Sequence, residues 1–348
     1  MNNMLIAPEA GDFGLPRLVV PAPANPRYSH LGWPKAVRTR DGAIVLAYLS
    51  GTTHTTNGCP VVAVSRDGGK SFSEPQVMME LHDGMEFHHS GNVSLGTASD
   101  GSVVLLAMAL RERRESSTII GWRSEDSGAT WSRVNTEQLE NTGGSVYGHV
   151  FEAPGRGLAV TGHFREGSVL REQGLWIAFS QDHGKSWGAP QVITKRFLGE
   201  PAFCSVQGKL VGLAKGRKGS ALGYVQFVSE DGGSSWDMMD SGLSVEVNPA
   251  SPTIIPDPDN PHIVYAFQTE RVISEDKSLP GHITLYRANA GDLQWKKVGV
   301  IAQFPQLPLR RDFGYPWMTK CEDGTWFLVF YDGIFDGSNS LWGLTLSI

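Results

Sequence analysis

The chain has 348 residues, 40% of them hydrophobic, and carries a formal net charge of −6. That hydrophobic share supports a sizeable core, and the negative balance argues against nucleic acid or anionic membranes as generic partners. No apolar run approaches the roughly 20 residues of a membrane-spanning helix; the longest, Val103–Leu110, is one strand long. Met1–Asp12 lacks a basic segment followed by an apolar core, so no secretory signal is visible, and the expectation is a cytoplasmic protein or one trimmed of its signal. Cys59, Cys204 and Cys321 are odd in number and far apart, which implies neither a disulfide framework nor a metal site. No cofactor motif stands out, and the sequence leaves the oligomeric state unassigned.

In chain order, Arg17–Pro21 reads as a short early strand. It is followed by six pairs of strands, each pair joined by a turn rich in Gly, Asp or Pro. The first pair begins near Gly32–Val37, turns at Arg40-Asp41-Gly42 and continues as Ala43–Tyr48. The second is Asn92–Leu95, a turn at Ser99-Asp100-Gly101, and Val103–Leu110. The third is Val150–Glu152 and Gly157–Thr161 around Pro154-Gly155. The fourth is Pro201–Ser205 and Leu210–Leu213 around Gln207-Gly208. The fifth is Pro252–Ile255 and Ile263–Phe267 around Pro256–Pro261. The sixth is Tyr315–Thr319 and Thr325–Tyr331 around Glu322-Asp323-Gly324. Ser340–Ile348 reads as a last strand, expected to be completed by the N-terminal one so that no long edge is left free.

Between these pairs one eight-residue pattern recurs: Ser, any, Asp, any, Gly, any, Ser/Thr, aromatic. It occurs at Ser65–Phe72, Ser124–Trp131, Ser180–Trp187 and Ser229–Trp236, with spacings of 59, 56 and 49 residues. An aspartate that can accept backbone N–H groups, two residues before a glycine free to take positive φ, is turn chemistry. Strand-like runs such as Val61–Val64 and Val225–Val228 lead into the units, so each is expected to be a hairpin turn pinned by its aromatic. Gly291–Trp295 reads as a decayed fifth copy. Repeats of this length suit one four-stranded sheet each, the unit of a β-propeller. The units resemble the Asp boxes of the sialidase (neuraminidase) superfamily. The resemblance implies an all-β, six-bladed propeller forming a single domain over residues 1–348, with the boxes as scaffold far from any active face.

Corresponding strand ends of such an architecture converge on one mouth. Inner-strand starts supply Trp33, Lys35, His88, His89, Tyr147, His149, Glu200, Asn248 and Tyr315. Second-strand ends supply His54, Arg111, His163, Arg165, Arg217, Arg271 and Asp332. So many Arg, His and Tyr suit an anionic, sugar-like ligand, because guanidinium groups grip carboxylates in a two-pronged way.

The resemblance further implies roles. Gly199-Glu200-Pro201, followed by Gly208-Lys209-Leu210 and Arg217, is similar to the sialidase segment with the catalytic glutamate and a carboxylate-binding arginine. Tyr315 stands where the family has its nucleophilic tyrosine, whose proton a carboxylate can draw. Two features depart from the family. Trp33-Pro34-Lys35 stands where an arginine motif is expected, and Lys35 keeps charge but not a two-pronged grip. The loop Ser50–Pro60 has no aspartate for proton transfer, which leaves His54 for that role. Arg271 is the third arginine by position, ahead of Arg287 and Arg311. The expected function is release of an acidic sugar from a glycan. Two alternatives stay open: a uronate-polymer lyase using His88, His89, Tyr147, His149, His163 and Arg165, and a glycan-binding module without turnover.

Overall fold

The computed structural model describes residues 6–111, 117–142, 144–164, 174–216, 223–243, 250–271 and 279–348. The chain is all-β, and its strands follow a simple meander. One group is β3 (His30–Arg38), β4 (Ile44–Gly51), β5 (Cys59–Ser65) and β6 (Gln76–Val77). The next is β7 (Val93–Thr97), β8 (Val103–Leu110), β9 (Ser117–Ser124) and β10 (Ser132–Arg133). A third is β11 (Gly144–Ala153), β12 (Gly157–Phe164), β13 (Gly174–Ser180) and β14 (Gln191–Thr194). A fourth is β15 (Leu198–Val206), β16 (Lys209–Gly216), β17 (Tyr224–Ser229) and β18 (Asp237–Asp240). A fifth is β19 (Thr253–Pro256), β20 (Ile263–Glu270), β21 (Gly281–Asn289) and β22 (Lys296–Phe304). The last is β23 (Arg311–Lys320), β24 (Trp326–Ile334) and β25 (Asn339–Leu346). Within each group consecutive strands pair antiparallel. The first and last groups join into one eight-stranded sheet through a single parallel bridge between Asn339 and His30.

The expected N-terminal strand, β2 (Arg17–Val20), pairs antiparallel with β25. The two-residue β1 (Glu9–Ala10), which the sequence reading did not include, covers the edge of β22. Pro256, expected in a turn, is the last residue of β19. The first strands of successive groups pack side by side in the order β3, β7, β11, β15, β19, β23, and β23 lies against β3. Burial follows position. The second strand β8, Val-Val-Leu-Leu-Ala-Met-Ala-Leu, is buried at every residue, whereas the outermost β18, Asp-Met-Met-Asp, is exposed throughout. A strand covered on both faces reads as a continuous apolar run.

The four recurring turns share one hydrogen-bond scheme. In the first, Ser65 Oγ donates to Asp67 at 2.7 Å and accepts from the Gly69 N–H at 2.8 Å, and the Ser71 N–H donates to Asp67 at 2.9 Å. Asp126, Asp182 and Asp231 repeat the arrangement with Ser124, Ser180 and Ser229. The glycine takes positive φ in each. Gly69, Gly128 and Gly184 lie so close to Phe327, Val45 and Val104 that a side chain there would collide. Each of these turns is thereby docked onto the second strand of the preceding group. The Gly291–Trp295 turn keeps an aspartate, Asp292, that accepts from Gln294 N–H, but lacks the hydroxyl partners.

Candidate functional site

Three first strands carry the same irregularity. Register slips between Gly32 and Lys35 in β3, between Gly199 and Ala202 in β15, and between Gly314 and Trp317 in β23. At each slip one non-glycine residue takes left-handed backbone: Trp33 at φ 55°, Glu200 at 52° and Tyr315 at 52°. The sequence reason is a shared triplet, Gly32-Trp33-Pro34, Gly199-Glu200-Pro201 and Gly314-Tyr315-Pro316. Proline has no N–H to lose from the ladder, so the bulge sits where it sacrifices least. In β11 the slip falls between Tyr147 and Phe151, with Gly148 at φ 70°. Left-handed backbone costs a non-glycine residue on the order of 1–3 kcal/mol, and such strain gathers at functional sites. Its effect here is to re-aim side chains out of the alternation of the strand.

The re-aimed side chains meet. Tyr315 Oη donates to Glu200 Oε2 at 3.0 Å, and Lys215 Nζ lies 3.4 Å from the other carboxylate oxygen. The Trp33 ring stands 6.0 Å from that of Tyr315. Burial and the charge of Glu200 push the Tyr315 phenol well above its ordinary pKa, so it rests neutral as a donor to a base already in place. Around this pair, Tyr147 stacks on His163 at 4.8 Å, and His163 Nδ1 accepts from the Glu200 N–H at 3.3 Å.

Lys35 sits beside the pair, 3% exposed, its Nζ 5.0 Å from the Trp317 ring. Its one hydrogen bond to a described residue runs to the carbonyl of Pro34 at 3.3 Å. Burial pulls its pKa down to about 7, so near neutrality the amine is only partly charged. His149, half-buried against Trp317, is pulled down to about 3 by burial and by the charge of Lys35. It is a neutral imidazole whose Nδ1 has no hydrogen-bond partner among the described residues.

Arg271 is close but partly engaged: Nε donates to the Phe313 carbonyl at 3.0 Å and Nη2 to Tyr331 Oη at 2.7 Å. Its Nη2 is also 3.4 Å from Asp312. Asp312, 1% exposed, is the hub of a second cluster. His54 Nδ1 lies 2.5 Å from it, His30 Nε2 3.4 Å, Tyr331 Oη 3.1 Å and Asn339 Nδ2 3.4 Å. Burial disfavours its charge, but the hydrogen bonds of His30 and His54 and the Arg271 cation win, and the carboxyl is held well below the usual range. His30, His54 and Asp312 bring three potential metal ligands within 4.8 Å of one another. A guanidinium on the same carboxylate and a histidine already at hydrogen-bond distance make this a proton-filled network rather than a cation site.

Of the other expected residues, His89 Nδ1 accepts from the Gly58 N–H at 2.9 Å, a buried structural contact. His88 is half-buried, its Nδ1 without a hydrogen-bond partner among the described residues. Arg111 faces outward and pairs with Glu86. Asp332 is locked to Arg311 at 2.6 Å. Arg165, Arg217 and Asn248 lie outside the described residues. Asp312, Tyr331, Lys215 and Trp317 were missed. The Gly-x-Pro triplet marks the bulge from which Trp317 and Asp312 stand two and three residues away, and is the signal that points to them.

Residues 88–328, more than half of the chain, match the family model described as a BNR repeat-like domain. No curated protein matches the chain. Among solved structures it is similar to a protein of unknown function from Dyadobacter fermentans, 19% identical, with a TM-score of 0.73 and coverage of 97% of this chain and 99% of that one. A Hadza microbial sialidase is 17% identical with a TM-score of 0.69, covering 96% and 69%. A leech intramolecular trans-sialidase is 13% identical with a TM-score of 0.68, covering 97% and 70%. Likeness at these identities speaks for the fold alone.

Proposed function

Because this chain belongs to the BNR repeat-like family of the sialidase superfamily, we propose that it is a six-bladed β-propeller glycoside hydrolase. We further propose that it releases sialic acid or a related acidic sugar from glycans. The cyclic packing of the six first strands supports the propeller, read as one domain over residues 1–348. The observation that carries the activity is the 3.0 Å contact between Tyr315 Oη and Glu200, made from two strained bulges of different strands.

Tyr315 Oη attacks the anomeric carbon while its proton passes to Glu200. A neutral nucleophile meets less repulsion from a substrate carboxylate than Asp or Glu would. Lys215 Nζ, 3.4 Å from Glu200 Oε1, places a cation beside the carboxylate that takes the proton. The substrate carboxylate is held by Lys35 and by Nη1 of Arg271, which bonds to no described residue, with Arg217 as a further partner. Trp33 and Trp317 supply apolar walls for the sugar ring. His54 moves the proton of the leaving group.

The test is release of the fluorophore from an aryl sialoside. Wild type should turn over, and Tyr315→Phe and Glu200→Gln should each lose at least about 100-fold in kcat. Rising absorbance of unsaturated uronate on polymer substrates, with no release from acidic aryl glycosides, would favour the lyase built on Tyr147 and His163. Binding of the sugar without turnover, unchanged in Tyr315→Phe, would leave a glycan-binding module.

A further inference from the structure

The loop leaving β4 holds no carboxylate, yet the structure brings one to it from the far end of the chain. We infer that Asp312 is the positioning residue that makes His54 the proton shuttle of this site. The inference rests on the hydrolase reading above.

The geometry is that of a histidine held by one nitrogen and open at the other. A carboxylate only accepts, so the 2.5 Å contact fixes the His54 proton on Nδ1 and leaves Nε2 as the working atom. Nε2 makes no hydrogen bond to any described residue, and the side chain keeps 16% of its surface exposed. The ring orientation is fixed from several sides. The Phe335 ring stacks on it at 4.3 Å, and the Trp33 ring lies 5.0 Å away. The His54 N–H donates to the Phe335 carbonyl at 3.1 Å, and the Thr52 N–H bonds to Thr56 across the loop. The other face of Phe335 carries the Arg310 guanidinium at 3.6 Å. His30, by contrast, is 1% exposed, donates from Nδ1 to the Gly337 carbonyl at 2.7 Å, and has Nε2 against Asn339 and Asp312. One histidine of the pair is therefore spent on structure and the other is available. Trp33, which touches both the His54 and Tyr315 rings, sets the gap between shuttle and nucleophile.

The proton accounting closes. As the Tyr315 Oη–carbon bond forms and the glycosidic C–O bond breaks, Glu200 takes the phenol proton and the leaving oxygen takes the Nε2 proton of the His54 imidazolium, which becomes the neutral Nδ1–H imidazole. In the second half, His54 Nε2 draws a proton from water as the water oxygen attacks the anomeric carbon. Tyr315 then leaves and recovers its proton from Glu200. Both groups end as they began.

The experiment pairs ¹⁵N-resolved NMR of the His54 ring with kinetics on two leaving groups, an activated nitrophenyl and an alkyl or sugar alcohol. In wild type, the neutral His54 ring should show the Nδ1–H form. In Asp312→Asn, whose amide can donate to Nδ1, that form should be lost, with circular dichroism retained. Asp312→Asn and His54→Gln should each lose about 100-fold or more on the alcohol leaving group and less than 10-fold on nitrophenyl, which departs without a proton. An Nε2–H tautomer in folded wild type, or equal losses on both leaving groups, overturns the inference. If Asp312→Asn does not fold, the wild-type tautomer and His54→Gln decide alone. If wild type turns over neither substrate, the hydrolase reading fails and, with it, the shuttle role, while the tautomer still reports whether Asp312 holds His54.

Discussion

Replacing Lys35 by methionine should stabilise this protein, and by an amount that depends on pH in a defined direction. Lys35 is buried without an ion pair among the described residues, its one hydrogen bond going to a carbonyl of its own neighbour. Burial lowers its pKa from 10.5 to about 7. Below pH 7 the amine is charged in both folded and unfolded chains, and the folded one bears the full desolvation penalty, about 5 kcal/mol for that shift. Between pH 7 and 10.5 the folded amine is neutral while the unfolded one is still charged, so the penalty shrinks by about 1.4 kcal/mol per pH unit and is gone above pH 10.5. The cation–π contact with Trp317 offsets up to about 2 kcal/mol while the charge is present. Methionine also alters packing by a pH-independent amount. The quantity to measure is therefore the change in advantage: Lys35→Met should lose about 3 kcal/mol of its lead over wild type between pH 6 and pH 9. His149 stays neutral in the folded state across that window, since its pKa is held at about 3. Urea unfolding at four pH values, with equal m-values, gives the comparison. Stability curves that run parallel from pH 6 to pH 9 would refute the claim that the amine is desolvated in the folded state.

Other perturbations follow from the same contacts. Arg311→Met strands the Asp332 carboxylate, buried beside Asp312, and should cost about 3–5 kcal/mol in urea unfolding. The loss should be larger at pH 8 than at pH 5, because burial already pushes the Asp332 carboxyl up to about 6 and protonation removes the uncompensated charge. Ser65→Ala leaves the buried Gly69 N–H without its acceptor and should cost about 1–3 kcal/mol, with activity per folded molecule unchanged because the turn touches none of the site residues.

The fold was legible because its signals are local. A Ser-x-Asp-x-Gly turn contains all its own hydrogen-bond partners within seven residues, so four copies announce four hairpins without any tertiary information. The six strand pairs were legible for the same reason, from Gly and Asp in short turns between apolar runs. The site was legible only in part. Glu200 and Tyr315 could be named because each lies in a recognisable segment, but their contact spans 115 residues and no local pattern reports it. Asp312 was passed over: between two arginine-bearing and aromatic positions it reads as an ordinary strand polar residue, and its value comes from His30, His54, Tyr331 and Asn339, which converge from other strands. Arg271 shows the opposite limit. Its position was identified from the strand end, yet its Nε and Nη2 donate to Phe313 and Tyr331, which sequence spacing does not disclose.

The single parallel bridge between Asn339 and His30 has a consequence for how this protein acquires and loses its site. Asn339 and Asp312 come from the last group of strands, His30 and His54 from the first, and the Asp312–His54 contact spans 258 residues. The proposed shuttle is therefore built across the joint between the first and last groups, which the Asn339–His30 bridge, the pairing of β2 with β25 and the backbone bonds of Asn339 to Ser29 and His54 to Phe335 hold together. During synthesis the chain can assemble most of its sheets before Asp312 and Asn339 arrive to hold His54 and His30. In mild denaturant the order reverses: once this joint opens, the proposed proton transfer is lost even where the interior of every sheet is still hydrogen-bonded. On the proposed mechanism, turnover of the alcohol-leaving substrate would report closure of this joint, falling on a urea titration no later than the strand signal in circular dichroism.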